Sequence, residues 1–202
     1  LENRLEANTE ANLDVLLEEF YAQVDHWDPE KKIEDTLIEA GKEMLANFVD
    51  KHEGRTLPIL AKEQSFELVV GGGLIRGYID RVDFDGKTIH ICDWKTGKNE
   101  GTAKGAPTNL QLGIYALAMS KLYPGYPIYA ELYYLRSERQ KGHLFSQEDL
   151  DAVEIKLTSI VDLIINTQDF GTTANPRVCY YCDHGNSGAC GTGVFRIRKR
   201  QR

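Results

Sequence analysis

No stretch of the sequence approaches the roughly 18 consecutive apolar residues of a membrane-crossing helix. No charged n-region followed by an apolar h-region opens the chain. It starts at Leu1 rather than Met, so it reads as a piece of a longer protein with no secretory leader in view. Positive charge is in deficit: 24 Lys and Arg stand against 31 Asp and Glu, a formal net charge of −7. That balance argues against a coat protein that holds nucleic acid by electrostatics alone. It leaves room for an enzyme with a local basic path and an acidic metal site. Cysteine is scarce, with four residues, one at Cys92 and three crowded at Cys179, Cys182 and Cys190. One distant cysteine and a cluster of three do not make a disulfide framework, whereas in an intracellular chain such a cluster suits a metal. Internal repeats and long low-complexity segments are also absent.

What is present is an ordinary globular composition, 42% hydrophobic and 27% charged, in a chain of 202 residues. That length supports one good-sized core, with or without a small appendage. The first part, 1–56, reads as helical. Leu13, Leu16, Leu17, Phe20 and Val24 recur at helical spacing. A second helix is expected from Asp28 as N-cap and Pro29 at its first position, with a stripe of Ile33, Leu37, Met44, Leu45 and Phe48. Three strand signals follow, at 63–70, 74–84 and 87–95, joined by a Gly run at 71–73 and by Asp85-Gly86. A Gly-rich polar loop (97–107) leads to a helix over 108–123, with Thr108 as a cap. Another strand over 127–136 and a long amphipathic helix over 146–167 come next, the latter with Ser146 and Asp149 as a capping pair. The order predicts an α/β, α+β-like domain: a small mixed central sheet flanked by helices. Its core spans 57–175, and 176–202 form a cysteine-bearing, basic tail.

Residues 91–97, Ile-Cys-Asp-Trp-Lys-Thr-Gly, put two charges into an apolar strand. With Asp85-Gly86 as a two-residue turn, Phe84 pairs with Lys87 and Asp80 faces Ile91. Side chains alternate with period 2, so Asp80, Asp93 and Lys95 share a face with Tyr78, Val82, Phe84, Ile89 and Ile91. Asp93 is then a diagonal neighbour of Asp80, roughly 7–8 Å away at the backbone. Arg81, Asp83, Thr88 and His90 fall on the other face. Buried unpaired charge costs several kcal/mol. Two readings are open: a buried Asp–Lys ion pair, or a divalent-metal site with a lysine beside it. If Gly71-Gly72 is the preceding turn, Glu63 falls opposite Asp80 and adds a third carboxylate; in another register Glu67 is the fallback. On the later helix, Gln111 and Tyr115 are i, i+4 neighbours on one face.

Together these residues resemble the PD-(D/E)XK nuclease superfamily, and within it the RecB-like branch, with its RecB/AddB-type and CRISPR-associated exonuclease-like members. Gly-Tyr-Ile-Asp-Arg-Val-Asp (77–83) resembles that branch's Gly-x-Ile-Asp-Arg motif. Ile-Cys-Asp-Trp-Lys-Thr-Gly-Lys (91–98) is similar to its Asp-Tyr-Lys-Thr-Gly motif, with Trp94 in the Tyr position. Gln-Leu-Gly-Ile-Tyr (111–115) resembles its Gln-x-x-x-Tyr motif, and 61–68 its Glu-bearing strand. The resemblance implies a restriction-endonuclease-like core and a Mg²⁺- or Mn²⁺-dependent DNA nuclease, an exonuclease or an end-dependent single-strand nuclease. Asp80, Asp93, the Trp94 carbonyl and Glu63 would hold the metal. Lys95 would orient or help deprotonate the attacking water, and Gln111 and Tyr115 would position the strand or the lysine. Arg81, Thr96 and Lys98 are candidate DNA contacts. The implied setting is DNA recombination, repair or defence in a bacterial, archaeal or phage-type cytoplasm, beside a helicase domain or recombination partner. The alternative is an inactive DNA-binding or scaffold domain of the same fold. The branch's upstream metal-binding His has only His26 and His52 as candidates here, neither in the expected context, so that residue is expected to precede Leu1.

The cysteine spacing, Cys179-x2-Cys182-x7-Cys190, resembles the C-terminal part of a [4Fe-4S] site in the same branch, where a fourth cysteine lies far upstream. Cys92 points away from Asp93's face and is expected in the core. A zinc site of Cys179, Cys182, Cys190 and His184 is the second option, and three metal-free cysteines the third. Arg196, Arg198, Lys199, Arg200 and Arg202 make a basic end that would contact phosphate or remain solvated.

Overall fold

The structure, a computed structural model, describes residues 12–52, 59–98, 100, 108–169, 171–172, 175, 178–179, 182–186 and 190. The chain divides into two compact units, Leu1–Asp162 and Leu163–Arg202. Among the described residues no helix is long and apolar enough to cross a membrane.

The first unit is built on a five-stranded sheet in the order β1-β2-β3-β4-β5. The strands are β1 (Ile59–Val70), β2 (Gly73–Phe84), β3 (Ile89–Lys95), β4 (Ile128–Tyr134) and β5 (Arg139–Phe145). Only the β3–β4 pairing is parallel, and the helix α3 (Leu110–Leu122) makes the crossover between them. A parallel neighbour requires such a crossover, whereas the other pairs are simple hairpins. β5 was not expected: Arg-Gln-Lys-Gly-His-Leu-Phe has few strand formers and is recruited by pairing along all of β4.

One face of the sheet buries Phe66, Leu68, Val70, Ile79, Val82, Ile89 and Ile91 against α3 and against Leu150 and Leu157 of α4 (Gln147–Asn166). Gly113 lets α3 and α4 approach, because a Cβ there would lie 2.7 Å from Val153. The opposite face carries a smaller cluster, Cys92, Tyr133, Leu135 and Trp94, under Phe48 of α2 (Asp35–His52). The helix α1 (Leu13–Trp27) packs on α2 at Gly41, where a Cβ would meet the Phe20 ring at 2.5 Å.

Several local expectations are corrected. Asp28 does not start the second helix. It ends α1, its N–H donating to Val24 O at 2.8 Å, while its carboxylate accepts the Ile33 N–H and organises a turn. α2 opens later, where Leu37 and Ile38 donate to Glu34 O. Asn109, not Thr108, caps α3, accepting from Leu112 N at 3.0 Å. Ser146 and Asp149 do form the expected capping box on α4, with Ser146 N to Asp149 Oδ2 at 2.9 Å and Asp149 N to Ser146 Oγ at 3.2 Å.

The two hairpins behave differently. Gly71-Gly72 is a two-residue turn with φ of 56° and 75°, the doubly left-handed geometry that glycine supplies without strain. Asp85-Gly86 is not a two-residue turn. Asp85 Oδ1 accepts both Lys87 N (2.8 Å) and Thr88 N (2.7 Å), which opens a four-residue loop and pairs Phe84 with Ile89. Those hydrogen bonds, with one to His90, hold the Asp85 carboxyl down at about 2. The register therefore moves by two residues, so Asp80 does not face Ile91, but an even shift leaves every side chain on its expected face. A separate one-residue slip lies within β2. Ile75, Gly77 and Ile79 point to the main core, but beyond Asp80-Arg81 the core positions are Val82 and Phe84. Tyr78 is thus 64% exposed, not a core residue. Facing the slip on β1, Glu63 takes a left-handed φ of 47°.

Candidate active site

Asp80 lies at the slip in β2. The β2–β3 pairing runs to Arg81↔Cys92, one residue short of both Asp80 and Asp93, and the charge of Asp80 acts on the Asp93 carboxyl. Asp80 Oδ2 accepts the Trp94 N–H at 2.8 Å, so the main chain of β3 fixes this carboxylate. Asp93 is only 2% exposed, and its Oδ2 is ion-paired with Lys95 Nζ. The same ammonium donates to Gln111 Oε1 at 3.0 Å, and Gln111 Nε2 donates to Tyr115 OH at 2.9 Å. Tyr115 is anchored by an edge-on contact with Phe66, with ring centroids 5.8 Å apart. Four of the expected residues, Asp93, Lys95, Gln111 and Tyr115, thus form one connected polar chain inside an apolar face, with Asp80 tied beside it to the Trp94 N–H.

Burial is the main force on the Asp93 carboxyl and pushes its pKa up. Lys95 opposes the rise and Asp80 adds to it. Burial likewise raises the Tyr115 phenol, with Asp93 and Asp80 adding to it and the Gln111 bond opposing it. Neighbouring carboxylates at the end of an apolar face repel one another and gain from a cation between them. Hard oxygen donors of this kind suit Mg²⁺ or Mn²⁺. The donor chemistry of Asp80 and Asp93 therefore fits a divalent ion. Among the described residues, no three His, Cys, Asp or Glu side chains gather into a group able to hold a metal.

The remaining expected residues separate. Glu63 stands across from Asp80 in the register of the Gly71-Gly72 hairpin, but its side chain is exposed. Glu67 is on the outer face, paired with Arg76 at 2.8 Å. Arg81, expected as a DNA contact, is bonded within the protein in this structure. Its Nε donates to both oxygens of Asp83, at 2.8 and 2.9 Å, on the face away from Asp93. Thr96 and Lys98 are exposed just after β3. Of the two upstream histidines, His52 stacks on Phe48 at 4.3 Å and packs by Tyr133, on the opposite side of the sheet; His26 is exposed beside Trp27. Cys92 is buried in the smaller cluster, as expected, with its thiol pKa pushed well up by burial. The sequence reading missed the Trp94 N–H on Asp80. The signal for it was the Asp-Arg motif standing on a strand paired with β3.

In the second unit, Cys182 N donates to Cys179 O (3.2 Å) and Cys190 N to His184 O (3.1 Å), around a short helical turn α5 (Asp183–Asn186). None of the four cysteines is in a disulfide. A [4Fe-4S] cluster takes four cysteine ligands, and the spacing supplies three. Among the described residues no group of three or more His, Cys, Asp or Glu gathers here.

A mixed sheet with two neighbouring strand acids, a lysine two residues on and a helix across the site defines a restriction-endonuclease-like nuclease core. The family model for the PD-(D/E)XK nuclease superfamily matches residues 2–187, and the chain belongs to that superfamily. Its fold is shared with the crystal structure of a candidate exonuclease from Eubacterium rectale, at 13% identity and a TM-score of 0.50, over 94% of this chain and 74% of that one. A weaker likeness, with a TM-score of 0.42 and 16% identity, links it to the crystal structure of SSO0001, over 87% of this chain and 79% of that one. Gene 69 protein of Mycobacterium phage D29 is 40% identical over 63 residues, which are 31% of this chain and 21% of the phage protein. The match thus spans about a fifth of that relative's length.

Proposed function

We propose that this chain carries a Mg²⁺- or Mn²⁺-dependent deoxyribonuclease site of the RecB-like type, acting as an exonuclease or an end-dependent single-strand nuclease in DNA recombination, repair or defence. The observation that supports this reading best is the chain Asp93–Lys95–Gln111–Tyr115, with Asp80 held beside it by the Trp94 N–H. Asp80, Asp93 and the Trp94 carbonyl would hold the ion. When bound, such an ion acidifies water and offsets charge on the scissile phosphate.

The protein's own groups have separable tasks. Asp80 is held toward β3 by the Trp94 N–H, so one oxygen stays fixed. Asp93, buried and ion-paired, keeps Lys95 drawn into the site. Lys95 would present its ammonium to a phosphate oxygen and offset charge developing there. Gln111 holds that ammonium in place, and Tyr115 holds Gln111. The test is incubation of end-labelled single- and double-stranded DNA with Mg²⁺ or Mn²⁺, beside Asp93→Ala and Lys95→Ala. Degradation by the native chain alone is expected. Equal degradation by all three, or none by any, overturns the reading.

A further inference from the structure

The sheet register carries the site further than β3. Asp93 pairs with Leu132 and Leu132 with Lys141; Lys95 pairs with Tyr134 and Tyr134 with Arg139. Paired residues project from the same face, so Lys141 and Arg139 lie on the face that holds Asp93 and Lys95. They are two strand spacings away, roughly 10 Å. The Lys141 ammonium stands over the Tyr134 ring, 5.2 Å from its centroid, in agreement with that placement. The result is an ordered strip: acid and lysine on β3, a buried leucine and tyrosine on β4, two cations on β5.

The two cations share one acidic residue. Glu100 Oε2 lies 3.3 Å from Arg139 and 3.7 Å from Lys141, and its main-chain carbonyl accepts from Lys141 Nζ at 2.8 Å. The Tyr134 hydroxyl donates to the same carbonyl at 2.8 Å. The Glu100 carboxyl is mostly buried, and the Ser137 hydroxyl, then Arg139 and Lys141, hold its pKa below the usual range. Arg139 is otherwise largely exposed, so its planar fork is free to turn toward another anion. An anionic oxygen cluster thus already sits on an Arg–Lys pair in line with the candidate catalytic residues. A phosphate offers the same oxygens with more charge, and Arg binds it bidentately.

We propose that Arg139 and Lys141 form a phosphate-binding subsite for the substrate strand, roughly 10 Å from the scissile position, and that Glu100 occupies this subsite until a strand displaces its carboxylate. This rests on the nuclease reading above and names how that site holds its strand. Glu100 acts here as a competing ligand, and the two cations as positioning residues for the flanking phosphate.

The test uses the full chain carrying Asp93→Asn, so that no strand is cut, and a fluorescent single-stranded oligonucleotide read by anisotropy across a salt series. Arg139→Gln with Lys141→Gln is expected to weaken binding about three- to tenfold and to lower the slope of log K against log salt by about 1 to 1.5. Glu100→Gln is expected to tighten binding a few-fold at low salt. Unchanged affinity and slope in the double variant overturn the subsite. Weaker binding by Glu100→Gln, together with a fall in its melting temperature, overturns the competing role and leaves Glu100 as a structural tie. Cleavage by the native chain is measured in parallel. Cleavage without dependence on Arg139 and Lys141 rejects the subsite and keeps the nuclease. No cleavage, with binding that still depends on the two cations, rejects the nuclease and keeps the subsite.

Discussion

The carboxylate site in the first unit and the cysteine segment in the second are both recognisable motifs, yet they rest on different kinds of backbone. Asp80, Asp93 and Lys95 sit on strands, where pairing fixes the neighbour and alternation fixes the face. An error of two residues in the turn at Asp85-Gly86 leaves them on the same side. Cys179, Cys182 and Cys190 lie beside a short helical turn, where the main-chain bonds of Cys182 and Cys190 fix local turns and no ladder sets a common face. Residue spacing alone places side chains when a ladder carries it. In a loop, the ligand itself must do the gathering.

The comparison breaks most sharply at Asp93. Asp93→Asn is expected to cut metal-dependent cleavage by at least about a thousandfold, because it removes charge at the metal position and the partner of Lys95. Its stability should move the other way. A buried carboxyl with a raised folded pKa binds more protons folded than unfolded, so stability falls as pH rises through that window. Asparagine removes that penalty, and a melting temperature roughly 2–4 °C higher near neutral pH is expected by calorimetry. A lower one would show that the Lys95 ion pair stabilises more than burial costs.

A smaller effect is expected at the helix end of the site. Gln111→Leu keeps the apolar contacts and removes both hydrogen bonds, to Lys95 and to Tyr115. A loss of about tenfold in kcat with little change in KM, and a shifted alkaline limb of the pH–rate profile, would mark Gln111 as the group that positions the lysine. A change in KM alone would place it on the strand instead. The smallest effect is expected in the other region. Cys182→Ser should leave Mg²⁺-dependent cleavage within about twofold. A large loss, or a brown protein absorbing near about 400 nm that the substitution bleaches, would show that a cluster assembles the cysteines after all.

Much of this was legible from the amino acids, for identifiable reasons. The glycine pair 71–72 demanded a tight turn and so set Glu63 across from Asp80. The Ser146–Asp149 box announced α4. Gln111 and Tyr115 fell on one helix face because four residues make about one turn. What escaped was decided by contacts distant in sequence or by competing side-chain bonds. β5 exists because β4 offers an edge. Asp28 turned from cap to turn-former through Ile33. Tyr78 left the core because alternation slips at Asp80-Arg81, next to the left-handed Glu63, and no period-2 pattern foretells its own interruption. The Arg81–Asp83 pair was not foreseen either, since a sequence does not say which anion an arginine will meet.

The slip in β2 also bears on how this scaffold tolerates change. It separates the outer end of the β1–β2 hairpin from the part that frames Asp80, so the two ends keep independent phase. Insertions or deletions of residue pairs across the tip should therefore lengthen or shorten the hairpin without rotating the acid out of place. A one-residue change between the slip and β3 has no such freedom. In lineage terms, the outer hairpin is a region where length can drift, and the short run from Asp80 to Lys95 is one where parity is under constraint.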